Sequence, residues 1–126
     1  MSAEERLREL GIVLPPAPKP VATYVTFSRV GNIGYTSGHG PLRADGTMIT
    51  GRVGEDLGVD AAREAARVTG LGLLATIREH LGSLDRVARI IKVLGMVNST
   101  PGFVDHPAVI NGCSDLFVEV FGEAGV

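Results

Sequence analysis

Residues Tyr24–Pro41, YVTFSRVGNIGYTSGHGP, contain the strongest structural signal in this chain. Two apolar segments, Tyr24–Arg29 and Ile33–Ser37, flank the pair Gly31-Asn32. Glycine and asparagine tolerate a positive φ, which the tight turn of a β-hairpin requires. The stretch therefore predicts a hairpin of two strands that leads into a loop of small residues.

The segment before the hairpin predicts a short helix and a connector. Ser2 and Glu5 have the spacing of a capping box, and Gly11 supplies a stop, so we expect a helix over Ser2–Leu10. The proline-rich stretch Leu14–Pro20 should be extended. We divide the chain into residues 1–20, the helix and connector, and residues 21–126, one folded domain.

The segment after the hairpin predicts one more short strand, two helices and a long strand. The order is a strand over Thr47–Val53, a helix from Gly58 or Asp60 to near Gly82, a strand over Val87–Asn98 and a helix over Ala108–Phe121. Strands and helices that do not alternate regularly indicate an α+β fold.

The two long helices should each bury one stripe of residues at three- and four-residue spacing. In the first helix, Gly70 and Gly72 indicate either a close approach to a sheet or a helix that is merely weak at this point. The predicted stripes are Ala62, Ala65, Ala66, Thr69, Leu73, Ile77, His80 and Leu81 in the first helix, and Ile110, Ser114, Phe117, Val118 and Phe121 in the second.

The segment Val87–Asn98 is apolar on both faces of a strand. Ile90, Leu94 and Met96 would share one face, and Ile91, Val93 and Val97 the other. A strand of this kind is covered on both sides. Because the chain has too few residues for a second covering layer, we expect another subunit to supply it, and therefore a homo-oligomer.

Composition narrows the classes of function. The 126 residues include 12 Lys and Arg against 14 Asp and Glu, and no Lys or Arg follows Lys92. Nucleic-acid binding requires clustered Lys and Arg, so we expect no nucleic-acid partner. The single cysteine excludes an intramolecular disulfide. The charged N-terminus resembles no signal peptide, and no apolar run is long enough to span a membrane. We expect a cytoplasmic protein without a membrane partner.

Five positions are candidate functional residues, and each also has a structural interpretation. Tyr24 either bonds a ligand or packs at a sheet edge. The loop with Ser37, Gly38 and His39 either offers backbone N–H groups to a ligand or is a plain turn, and His39 itself takes part or is solvated. Asn111 either faces a cleft or caps a helix. Separately, Cys113 should be an inert packed thiol, and the three histidines lack the spacing of a metal site.

In their order and spacing, these segments resemble the Rid family, the reactive intermediate deaminases, also called the YjgF or L-PSP family. The matching pieces are Tyr24-Val25, Gly31-Asn32, Thr36-Ser37-Gly38 followed by Pro41, Leu81–Val87, the strand to Val97-Asn98, and Asn111-Gly112. His39 departs from the family pattern, which usually has glutamine after Ser-Gly.

The resemblance implies a chorismate-mutase-like α+β domain, with a mixed β-sheet and two helices on one face. It also implies a homotrimer whose sheets form a central barrel, with ligand clefts between subunits. The implied reaction hydrolyses 2-imino acids or enamines, small carboxylate-type ligands, to 2-keto acids and ammonia without a metal or organic cofactor. Tyr24 and Asn111 would be catalytic, and Ser37, Gly38 and His39 would bind substrate.

Family members place a carboxylate-binding arginine in a strand beyond the second helix, and a glutamate near the end. Neither has a counterpart before Val126. Either the natural chain continues with at least one more strand, which the unfinished sheet favours, or the site lacks its carboxylate anchor. Two alternatives to a deaminase stay open. One is a non-catalytic trimer that binds a small ligand on the same scaffold, and the other is an endoribonuclease, the activity with which L-PSP proteins are labelled.

Overall fold

A computed structural model describes the whole chain, Met1–Val126, and its first element is the short N-terminal helix. Helix α1 (Ala3–Leu10) follows Ser2, whose Oγ accepts the Glu5 N–H at 3.2 Å, while Glu5 Oε2 accepts the Ser2 N–H at 3.1 Å. The helix ends at Gly11, whose φ of 69° suits glycine. The predicted capping box and stop are confirmed.

Helix α1 has eight residues, too few to be stable alone, and it docks on the rest of the protein in two ways. Leu7 is buried in the main hydrophobic core. The Glu4 carboxylate forms an ion pair with Arg78 and accepts the Leu84 N–H at 2.8 Å. Asp85 accepts the Glu4 N–H at 2.9 Å. Burial of Leu7 and the polar contacts of the Glu4 and Asp85 carboxylates therefore both hold α1 against the rest of the protein.

Replacing Glu4 by glutamine should destabilise the protein by roughly 1 kcal/mol at pH 7, because a partly exposed ion pair and one charged hydrogen bond are lost. Burial raises the pKa of Glu4, but the hydrogen bonds from Arg78 and Leu84 and the Arg78 charge outweigh it, so the pKa lies below its ordinary 4.5. With a lowered folded-state pKa, this stabilisation is present above the unfolded-state pKa and is lost as pH falls through the folded value.

Urea unfolding at pH 7 and at about pH 3 checks this prediction. The difference between wild type and Glu4→Gln should shrink at the lower pH, and an equal difference at both values would contradict the role of the ionised pair. Glu9→Gln is the matched control, because Glu9 is exposed on the same helix.

The hairpin forms as predicted. Strands β1 (Phe27–Val30) and β2 (Ile33–Thr36) pair antiparallel, with Phe27 opposite Thr36 and Val30 opposite Ile33. Gly31 has a φ of 58° at the turn, which favours glycine. Strand β1 begins at Phe27 rather than at the predicted Tyr24. The residues before it make a separate short turn, in which the Tyr24 N–H bonds to the Ala22 carbonyl.

Two long helices, α2 (Val59–Leu81) and α3 (His106–Phe121), pack against each other through glycines. A Cβ added to Gly112 of α3 would lie 2.0 Å from the Arg63 carbonyl oxygen, and one on Gly70 of α2 would lie 3.0 Å from Leu116 Cδ2. The prediction that Gly70 faces a sheet is therefore wrong, because its space is filled by α3. Of the two glycines, Gly72 is the one that faces the hairpin side of α2, where His39 is its neighbour.

The main core lies between α1, α2 and α3. Its fully buried side chains include Leu74, Leu84, Leu116 and Val120, each 0% exposed. The predicted stripe on α3 is partly wrong: Phe117 and Phe121 are buried, but Val118 is 41% exposed. A second, small cluster consists of Val53, Ala62 and Val109. No helix is both long and apolar enough to cross a membrane.

The fold is α+β, as predicted, but the regular sheet contains only the two strands of the hairpin. In the predicted strand Thr47–Val53, only isolated bridges form: Met48 pairs with Leu42, and Val53 pairs with Leu57 and with Ser99. Strand pairing does not extend beyond these positions, because no strand lies beside the other residues of Thr47–Val53. Both strand directions therefore occur, in the antiparallel hairpin and in the two parallel bridges of Val53.

The predicted strand Val87–Asn98 is not paired into a sheet. It is anchored at its ends, where the Ile90 N–H bonds to the Ala124 carbonyl at 2.7 Å and the Asn98 carbonyl accepts the Val53 N–H at 2.9 Å. Between these points, the backbone of residues 91–97 makes no hydrogen bond within the chain. Ile91, Leu94 and Met96 are 68%, 75% and 86% exposed, so this chain alone covers neither predicted face fully.

Candidate functional site

The end of the hairpin brings several predicted site residues together. The Ser37 N–H donates to the Thr26 carbonyl at 2.9 Å, which extends the pairing of β1 and β2 by one residue. Tyr24, two residues before Thr26, therefore lies at the same end of the hairpin as Ser37–Gly38–His39. The pairing of Thr26 with Ser37 thus places the turn that contains Tyr24 and the loop after β2 at one end of the hairpin.

The loop after β2 presents backbone donors. The N–H groups of Gly38, His39 and Gly40 have no acceptor within the chain. A Cβ at Gly38 would meet nothing within 4 Å, so the space beside this residue is open. Unpaired N–H groups beside open space are available to a ligand or to water.

His39 is held by both ring nitrogens. Its Nδ1 lies 2.9 Å from the Ser37 carbonyl oxygen, and its Nε2 lies 2.7 Å from Oγ1 of Thr76 on α2. The ring is half-buried. The alternative of a solvated loop histidine is therefore wrong, because both nitrogens have protein partners.

Ser37 has a buried hydroxyl without a partner. Its Oγ is the one buried side-chain oxygen or nitrogen in the chain that makes no hydrogen bond. A buried hydroxyl with no protein partner is available to a water molecule or a ligand. Both the hydroxyl and the free N–H groups belong to the same loop.

Tyr24 is 41% exposed, and its hydroxyl oxygen accepts the Val21 N–H at 3.3 Å. A tyrosine hydroxyl that accepts one bond keeps its own proton to donate. The side chain is thus oriented by its own segment while its donor stays available at the surface.

Asn111 lies elsewhere in this chain. It is exposed in the middle of α3, next to Gly112, which contacts Arg63 near the start of α2. His39 contacts α2 at Gly72 and Thr76, and Gly72 is about 14 Å from Arg63 along the helix axis. A helix-capping role for Asn111 is excluded, because α3 begins at His106. Within one subunit, Asn111 and the hairpin loop are separate.

Cys113 is a packed thiol, as predicted. It is 5% exposed and belongs to the main core. Burial raises the pKa of its thiol to about 11. A thiol of this kind is not ionised near neutral pH, so Cys113 does not act as a nucleophile there.

Other parts of the surface are weaker candidates for a functional site. Ser99 Oγ lies 3.2 Å from His106 Nε2, but the other ring nitrogen of His106 has no partner that would orient it for catalysis. A shallow cavity of about 220 Å³, lined by Arg6, Leu84, Asp85 and their neighbours, contains none of the predicted site residues. No group of three His, Cys, Asp or Glu side chains is placed to hold a metal ion.

Sequence reasoning did not identify Thr76. Its signal is a stripe at four-residue spacing on α2, Gly72, Thr76 and His80, which faces the hairpin. The His80 ring stacks on Phe27 of β1, with centroids 5.3 Å apart and ring planes at 25°. Thr76 lies on this face, where its hydroxyl bonds to His39 of the adjacent loop.

Comparisons with known proteins agree with this fold. Residues 4–126 match the family described as "YjgF/chorismate mutase-like, putative endoribonuclease". Protein TCP17 from Trypanosoma cruzi is 40% identical over 117 residues, which cover 93% of this chain and 73% of that protein.

Two crystal structures are also similar. A "putative endoribonuclease" from Shewanella oneidensis is 32% identical with a TM-score of 0.95, covering 100% of this chain and 83% of the other. A protein of unknown function from Agrobacterium tumefaciens is 41% identical with a TM-score of 0.86, covering 98% of this chain and 74% of the other. Nearly the whole chain matches the family, in sequence and in fold, and it therefore belongs to the YjgF/chorismate mutase-like family.

Proposed function

We propose that this protein is a deaminase that hydrolyses reactive 2-imino acids or enamines to 2-keto acids and ammonia. The observation that carries the proposal is the loop Gly38–Gly40, whose three successive N–H groups have no acceptor within the chain. These donors suit the carboxylate that every 2-imino acid carries. Tyr24 lies at the same end of the hairpin, where it can meet the adjacent imine group.

The reaction needs only water and proton transfers, so the proposal includes no metal or organic cofactor. Water adds to the carbon of the C=N bond and gives a carbinolamine. The C–N bond then breaks, its electron pair leaves with the nitrogen as ammonia, and the hydroxyl loses its proton to form the keto group. The Tyr24 hydroxyl, held by the Val21 N–H, either positions the water or donates its proton to the imine nitrogen and regains one from the water that adds.

We further propose that the active assembly is a homotrimer with clefts between subunits. Support comes from the unpaired backbone of residues 91–97 and from exposed Ile91, Leu94 and Met96. An exposed apolar stretch with free backbone groups favours association with another strand or sheet. In such a cleft, Asn111 of one subunit can approach the hairpin loop of another, which it does not reach within its own chain.

The compartment we propose is the cytoplasm. Cys113 is free and buried, and a chain with one cysteine gains nothing from an oxidising compartment. The proposed substrates are reactive intermediates, and their hydrolysis protects other proteins only where the imines are released.

The test is the rate at which the purified protein converts 2-iminopropanoate, formed in situ by an amino acid oxidase, to pyruvate and ammonia. The rate above the uncatalysed reaction should rise in proportion to protein concentration. Tyr24→Phe should lower kcat/KM by about tenfold, the loss of one hydrogen bond in the transition state. The other tyrosine, Tyr35, is 63% exposed on β2, and Tyr35→Phe is the matched control.

Two outcomes would replace the proposal. A carboxylate ligand that binds tightly without any increase in imine hydrolysis would indicate the non-catalytic binding protein. Cleavage of RNA by a sample that leaves the imine unchanged would indicate the endoribonuclease named in the family description. Equal losses in Tyr24→Phe and Tyr35→Phe would remove Tyr24 from the reaction while leaving the deaminase itself in place.

A further inference from the structure

The hydrogen bonds of His39 determine its tautomer. The Ser37 carbonyl oxygen can only accept, so the proton of the neutral ring must be on Nδ1, 2.9 Å away. Nε2 then has only a lone pair, and it accepts the hydroxyl proton of Thr76 across 2.7 Å. The lone pair that could act as a general base is thus already used within the protein.

The partner of His39 is rigidly placed. Thr76 is 0% exposed and lies on α2, a helix of 23 residues whose other side packs into the core. His39 Cδ2 is the neighbour that a Cβ on Gly72 would meet, at 3.8 Å. The imidazole therefore lies over Gly72 and bonds to Thr76, one turn further along the same helix.

We propose that His39 is a positioning residue that anchors the substrate-binding loop to Thr76, an inference that rests on the proposed function. One end of the ring bonds to the Ser37 carbonyl and the other to α2, so the ring links the loop to the helix. This link fixes the direction of the N–H groups of Gly38 and Gly40. His39 accordingly sets the affinity for the substrate carboxylate and transfers no proton in the reaction.

The tautomer can be measured without any substrate. Long-range ¹H–¹⁵N spectra of the histidine-labelled protein, with His39 assigned by comparison with His39→Gln, should show the neutral ring protonated at Nδ1. A ring protonated at Nε2 would overturn the proposal. The exchange rate of the Ser37 N–H, which bonds to Thr26, should rise about tenfold in Thr76→Val, as expected for the loss of one hydrogen bond.

Kinetics with 2-iminopropanoate then separate positioning from chemistry. Thr76→Val and His39→Ala should each raise KM about tenfold with little change in kcat, and the double variant should be no worse than either single variant. His39→Gln should restore much of the affinity, because its amide oxygen can accept the Thr76 hydroxyl proton as Nε2 does. Thr69→Val is the control, since the Thr69 hydroxyl bonds to Ala65 within α2.

A fall in kcat at unchanged KM, or additive losses in the double variant, would overturn the proposal. If the wild type does not accelerate imine hydrolysis, the proposed function fails, and the tautomer and the Ser37 exchange rate still decide whether the anchor exists. The two failures are therefore distinguishable.

Discussion

Replacing Gly112 by alanine should lower the free energy of unfolding by about 3 kcal/mol. The added Cβ would lie 2.0 Å from the Arg63 carbonyl oxygen and 2.9 Å from its carbonyl carbon. Both are backbone atoms of α2, so no side-chain rotation can relieve the clash. The helices must separate, and the surrounding core residues then lose contacts.

Other helical glycines provide graded controls for this prediction. A Cβ at Gly72 would meet only His39 Cδ2 at 3.8 Å, an ordinary contact. Because alanine favours a helix over glycine, Gly72→Ala should stabilise the protein by about 0.5–1 kcal/mol. Gly70→Ala should fall between the two, since its closest neighbours are the side chains of Leu116 and Cys113 at 3.0 and 3.2 Å.

Urea unfolding of the three variants at one protein concentration measures this order. Gly112→Ala as stable as the wild type would mean that α2 and α3 are not in close backbone contact at this point. A destabilised Gly72→Ala would mean that helix propensity does not dominate there, and that the His39 ring does not tolerate a methyl group beneath it.

The elements that sequence reasoning predicted correctly are those with local causes. The Ser2–Glu5 capping box, the Gly31 turn and the Gly82 stop each depend on residues within a few positions of one another. Their hydrogen bonds form wherever the rest of the chain goes. For the same reason, the bounds of α2 and the end of α3 agree with the predicted ones to within about two residues.

The incorrect predictions concern what each element packs against. The apolar pattern of Val87–Asn98 predicted a paired strand, yet a strand exists only where another strand offers its backbone, and Val53 alone does so. Likewise, Gly70 signals a close approach correctly, but the sequence does not say whether the neighbour is a sheet or a helix. The spacing of apolar residues shows which face of a helix or strand is buried, but the element that covers this face depends on the whole fold.

In the candidate site, too, the local features could be predicted from the sequence and the contacts between distant residues could not. The loop with Ser37 and Gly38 could be predicted because small residues at a strand end are a local signal. The bond from His39 to Thr76 joins residues 37 positions apart, so the sequence alone did not reveal it. Asn111 was grouped with the loop through family resemblance, and one subunit does not bring the two together.

Replacing Leu94 by aspartate should convert the proposed trimer into single chains. Leu94 is 75% exposed and lies in the middle of residues 91–97, whose backbone makes no hydrogen bond within the chain. In an assembly, this stretch is the surface most in need of cover. A carboxylate buried there without a partner costs several kcal/mol per interface. Val13→Asp is the matched control, because Val13 is 89% exposed in the connector.

Sedimentation velocity of both variants at the same concentration checks the prediction. Leu94→Asp should sediment as one chain and Val13→Asp as three. A trimeric Leu94→Asp would show that the interface lies elsewhere, and a dissociated Val13→Asp would show that added charge alone prevents assembly. Because Asn111 and the hairpin loop lie apart within each chain, a folded single-chain Leu94→Asp should also lose imine hydrolysis. Full activity in that single chain would instead place the whole site within one subunit, at the loop beside Tyr24.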